Sequence, residues 1–227
     1  MKRRHAFATR LWHWLNVLCL AVLLMSGLNI SNAHPWLYWG DSGFQPMRAW
    51  AALPRFPHWM TIPDHYSLAA ARDWHVLFAW VFALGLLLFM VASLANRHFK
   101  RDLVTHRREW RPRAVLADIG AHLRLRFAAL HGGKYNFLQK LSYGVVIFIL
   151  LPLMIATGMA ISPGADAAWG WLGQALGGRQ SARSLHFIAA TLLTLFTIGH
   201  VLLVLLSGPW GQVKAMITGG RADDEAA

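Results

Sequence analysis

Four apolar blocks, separated by stretches rich in charge or proline, set the rhythm of this chain. They run Leu11–Ile30, Trp74–Ala95, Tyr143–Ile161 and Leu185–Gly208. Each is long enough to cross a hydrocarbon core of about 30 Å. Lipid offers no water to peptide groups, so a spanning segment must satisfy its own backbone and all four are expected as helices. The expected fold is an all-α membrane protein, a four-helix transmembrane bundle forming one membrane domain over residues 1–227. No internal repeat or low-complexity tract is apparent.

The connections differ in character. Ser31–Arg72 carries Pro35, Pro46, Pro54, Pro57 and Pro63 among Trp36, Tyr38, Trp39, Trp50 and Trp59, which fits an irregular interfacial loop or a docking surface. Between Arg97 and Lys134, Val115, Ile119, Leu123, Phe127 and Leu130 recur at helical spacing among basic residues. That pattern predicts an amphipathic helix on the membrane surface. The tail Gly219–Ala227 reads as disordered. The first block follows Lys2, Arg3, Arg4 and Arg10 like a signal peptide, but it is long and lacks a small-residue cleavage pattern, so a retained helix is expected.

Composition agrees with the pattern: 56% of the 227 residues are hydrophobic, 14% are charged, and the mean hydropathy is +0.37. The formal charge of +12 raises nucleic acid as a partner. However, seventeen of the 22 Lys and Arg residues fall before the first block, between the second and third, or after the fourth, against five in the other connections. This is the positive-inside asymmetry, which places both termini and the central connection in the cytoplasm and removes the argument for nucleic acid. Cys19 is the sole cysteine, so an internal disulfide, a self-contained iron–sulfur cluster and covalent haem attachment are all excluded.

The chemistry is carried by histidine. His186 and His200 stand fourteen positions apart in one apolar block, which on a helix is a rise of about 21 Å and a rotation that returns both to one face. Ionisable groups at such depth are costly and usually functional, and neutral imidazole is a common haem-iron ligand. With the topology above, His13 lies at the inner end of the first span, on the side to which the fourth brings His200. His75 opens the second span at the outer end, level with His186. The pairs His13/His200 and His75/His186 suggest two stacked, non-covalent, six-coordinate haems, which leave electron transfer as the available chemistry. A proton-relaying transporter without haem is the alternative. Arg10, Arg72 and Arg183, one turn before His13, His75 and His186, are candidate partners for anionic haem propionates. Gly27, Gly85, Gly158 and Gly199 leave room for a flat macrocycle or for close helix packing.

These residues, with Arg10-Leu11-Trp12-His13-Trp14 and Asn16 on the first span and Arg72-Asp73-Trp74-His75 on the second, resemble the bacterial cytochrome b561 and nickel-hydrogenase cytochrome b family. That family includes the membrane subunits of formate dehydrogenase and thiosulfate reductase. The resemblance covers all four spans. It implies a bacterial inner-membrane cytochrome with two b haems on His13, His75, His186 and His200, carrying electrons between quinone and a periplasmic molybdenum or nickel–iron subunit. It also implies a quinone site at Gly133–Lys140, where Asn136, Gln139 and Lys140 would meet the quinone; Leu138 departs from the glycine common in that motif. A stand-alone superoxide or quinone oxidoreductase is the alternative within the family.

Overall fold

The computed structural model describes residues 6–43, 45–97, 99–124 and 135–220. Four long apolar helices account for the four blocks: α1 Phe7–Ala33, α2 Leu68–Ala95, and, following a short helix α3 (Pro112–Leu123), α4 Phe137–Ile161 and α6 Arg179–Leu206. Each extends beyond its apolar block at the start, because helical hydrogen bonding continues into polar flanks that hydropathy alone does not register. The fourth stops at Leu206, short of the expected Gly208, which takes a left-handed φ of 90° ahead of α7 (Pro209–Thr218). Within α4, Val146–Leu150 forms a π-helical turn. Pro152 explains it: without an N–H, and with its ring crowding the carbonyl four residues back, proline disrupts the regular ladder.

Polarity is inverted relative to a soluble protein. Leu84, Leu87, Leu88, Val91 and Leu94 are exposed along α2, whereas Ser26, Asn29, Thr157 and Ser184 are buried. An outer apolar surface with polar residues inside is the arrangement hydrocarbon selects. The chain is an all-α, four-helix transmembrane protein.

The chain clusters into two compact bodies, His13–Leu86 with Leu151–Thr194, and Met1–Trp12 with Leu87–Leu150 and Leu195–Ala227. In the first, the connection expected to be irregular is well organised. Trp36–Leu37 pairs antiparallel with Ala51–Ala52, and Trp39 stacks on Trp50. The Asn32 amide grips the Phe56 backbone from both sides, donating to its carbonyl at 3.0 Å and accepting from its N–H at 2.7 Å. Asn29 donates to the carbonyls of Pro63 and His65. The first turn of α6 is capped from this connection: Gly40 O accepts from Gln180 and Ser181, and Asp41 Oδ1 accepts from the Arg179 N–H. A helix α5 (Pro163–Ala175), not anticipated, joins the last two spans and kinks at Trp169.

In the second body, the amphipathic element is helical over Pro112–Leu123; Phe127 and Leu130 lie outside the described residues, as do His5, His98, His131, Gly133, Lys134 and 221–227. An aromatic file links Trp12, Phe89, Phe99 and Phe148, opening with a stacked pair at 3.8 Å.

Candidate functional site

His75 on α2 and His186 on α6 come together in the first body, with ring centres 6.2 Å apart and planes at 60°. Each ring is held by the neighbouring helix through the same two-residue device. On α1, Ser26 Oγ stands 2.9 Å from His75 Nδ1; on α4, Thr157 Oγ1 stands 2.8 Å from His186 Nδ1. The following residue is glycine in both cases. A Cβ on Gly27 would stand 3.4 Å from His75 Cε1, and one on Gly158 would stand 3.5 Å from His186 Cε1. The helix backbone therefore lies against the imidazole at both places.

The partners of the two hydroxyls fit one ring tautomer. Ser26 Oγ donates its single hydrogen to Val22 O at 2.7 Å, and Thr157 Oγ1 donates its own to Leu153 O at 2.6 Å. With that hydrogen committed, each oxygen can only accept from the ring. Both rings are thus assigned the Nδ1–H form, which leaves Nε2 with its lone pair available to a metal.

That geometry fits an iron between the rings. An atom about 2 Å from one nitrogen of each ring, with roughly 1 Å more to each ring centre, separates the centres by about 6 Å. The observed 6.2 Å agrees. Ser26 and Thr157 went unnoticed in the sequence because hydroxyls in membrane helices usually bond their own backbone. The available signal was a hydroxyl–glycine pair once in the first span and once in the third, a positional recurrence too short to register as a repeat.

The other two histidines sit in different surroundings. His13 on α1 meets Trp14 edge-on at 5.1 Å. His200 on α6 stacks with Phe196 at 6.0 Å, and Phe196 in turn meets Tyr143. Among the glycines, Gly85 faces Leu15, while none of the described residues stands within 4 Å of a Cβ at Gly199.

Arg10 and Arg183 are engaged with the protein. Arg10 on α1 is buried and donates to Ile217 O. Arg183 donates to the carbonyls of His34 and Trp36. Arg72, placed within α2, is exposed. Partial burial, then the charges of Arg183 and Arg72, hold the His34 imidazole below its ordinary range.

The 136–140 segment starts α4. Asn136 and Gln139 form a reciprocal capping box, with Gln139 Oε1 accepting from the Asn136 N–H at 3.1 Å. The Leu138 N–H donates to Asp118 Oδ2. Lys140 Nζ contacts Glu109 Oε1 at 2.8 Å. Burial raises the Glu109 pKa, but the hydrogen bond from Lys140, the His106 N–H and the nearby positive charge together outweigh it and leave the carboxyl below its usual value.

Residues 4–219 match the family of prokaryotic cytochrome b561. A putative protein-methionine-sulfoxide reductase subunit, YedZ1, from Azospira oryzae is 25% identical over 87% of both chains. A probable Ni/Fe-hydrogenase B-type cytochrome subunit from Cupriavidus necator is 26% identical, covering 93% of this chain and 83% of its own length. A protein of the same description from Azotobacter vinelandii is 24% identical over 86% of this chain and 77% of its own.

Proposed function

This chain belongs to the prokaryotic cytochrome b561 family, and from that premise we propose that it is a dihaem electron carrier linking quinone to a redox subunit on the periplasmic face. As a member of that family with four candidate spanning helices, it is a b-type cytochrome subunit and a multi-pass protein of the bacterial inner membrane. The observation carrying the proposal is the His75/His186 pair, two facing imidazoles with both Nδ1 atoms held by hydroxyls.

In this reading His75 and His186 ligate one haem. His13 and His200 ligate the other, an assignment supported by the fourteen-residue spacing and the charge-derived topology. Bound haem supplies a one-electron redox change; the chain supplies axial nitrogens, orientation and a low-dielectric surround. Arg72 and Arg183 on one side, and Arg10 on the other, offer cationic partners for propionates. Asn136, Gln139 and Lys140 receive quinone near the cytoplasmic surface, and Lys140 keeps donors beyond the one facing Glu109. The periplasmic partner is a nickel–iron or molybdenum oxidoreductase, in keeping with the subunit character of the relatives.

Purified protein tests this directly. A pyridine haemochrome assay should give two b haems per chain, and a periplasmic catalytic subunit should co-purify. A colourless preparation would overturn the proposal in favour of a proton-relaying transporter. Quinone reduction by the isolated chain with superoxide as donor and no partner would establish the stand-alone oxidoreductase instead.

A further inference from the structure

We infer that Ser26 and Thr157 are matched positioning residues that set the redox potential of the haem carried by His75 and His186; this rests on the ligand assignment proposed above. The two contacts arise independently, from α1 to α2 and from α4 to α6, yet they share four features. Each has a hydroxyl 2.8–2.9 Å from Nδ1. Each hydroxyl hydrogen goes to the carbonyl four residues back. A glycine follows, so the backbone approaches the ring at its Cε1 edge. Both hydroxyl-bearing residues are 0% exposed, so water does not compete for the oxygen.

The physical effect follows from where the ring proton is held. An acceptor on Nδ1–H draws that proton outward and makes Nε2 a stronger electron donor toward iron. Stronger donation favours the ferric state and lowers the reduction potential. A neutral hydroxyl does this moderately, whereas a carboxylate would pull further toward imidazolate. Because both axial ligands carry the same acceptor, neither imidazole is the weaker donor. The hydrogen bonds also fix the rotation of each ring, and the two ring planes stand at 60°.

The experiment uses the purified holoprotein in detergent, with haem content, reduced α-band spectrum, ferric electron paramagnetic resonance and redox titration as readouts. H75A and H186A should each lose one and the same spectral component. Haem-replete S26A and T157V should retain two haems per chain while that component alone shifts to higher potential. Loss of one acceptor should change its oxidised-to-reduced ratio by roughly tenfold, which is about 59 mV for one electron. The hydroxyl-conserving S26T and T157S should stay at the wild-type potential with the wild-type resonance.

Unchanged potential and resonance in haem-replete S26A and T157V would overturn the inference while leaving the ligand assignment intact. Should S26A or T157V fail to retain the haem, recovery in S26T and T157S supports a hydroxyl role, and loss in those too reduces the contact to packing and overturns it. Retention of both components in H75A and H186A would instead overturn the underlying assignment.

Discussion

The imidazoles of His75 and His186 face one another at 6.2 Å from helices that open 111 residues apart in sequence, Leu68–Ala95 and Arg179–Leu206. The proposed ligand pairing makes a sharp genetic prediction. H75A and H186A should deplete one spectral component, and H13A and H200A the other, each to below a tenth of wild type in a redox-resolved difference spectrum. A component lost jointly by H13A and H186A would contradict the pairing.

Lys140 and Glu109 form an ion pair whose side chains are 11% and 12% exposed. Neutralising one partner strands the other. K140M and E109Q should each cost about 1–2 kcal/mol, between the values for exposed and for fully buried pairs, read as a lower thermal midpoint in detergent. Glu109 has its folded pKa depressed below the ordinary 4.5, so its contribution is present above that value and is lost as pH falls through the folded one. The thermal midpoint of wild type should therefore drop on acidification below about 4.5, with a smaller drop in E109Q.

Gly178 has φ of +103°, and a Cβ there would stand 2.6 Å from the Gly40 backbone. Both strain and overlap oppose any side chain. G178A should destabilise the junction between the 34–67 connection and α6 by roughly 2–3 kcal/mol, detected as accelerated proteolysis within that connection.

Arg183 ties the carbonyls of His34 and Trp36 to α6. R183M should cost about 1–2 kcal/mol by leaving both acceptors short of a charged donor. Lysine lacks the planar fork, so R183K should recover only part of the loss in a thermal melt.

His34 should titrate below the ordinary 6.5 because partial burial and the charges of Arg183 and Arg72 disfavour imidazolium. The neutral form supports the connection above that pH, and support erodes as pH falls through the lowered value. A histidine NMR titration should show this, with the apparent pKa rising in high salt as the two charges are screened.

Hydropathy alone located the four spans, since burying unbonded peptide groups in lipid is prohibitive and few backbone forms avoid it. Histidine spacing within those spans was equally legible, because helical geometry converts sequence separation into height and face. Helix ends were less so: Leu206 ends α6 and Leu68 begins α2 for reasons of turn geometry and capping, to which a hydropathy window is blind. The order in the proline-rich connection was hidden as well, since Asn29, Asn32 and Ser184 find their partners tens of residues away.

What the sequence determined unaided is the membrane class, the number of spans and the height and face of the histidines within them, all consequences of local composition and a fixed helical rise. What only tertiary structure decided is that Ser26 meets His75 and Thr157 meets His186, contacts that fit the Nδ1–H tautomer. Those contacts depend on how each helix is rotated against its neighbour, and rotation is set by side-chain packing across the whole interface rather than by any single segment.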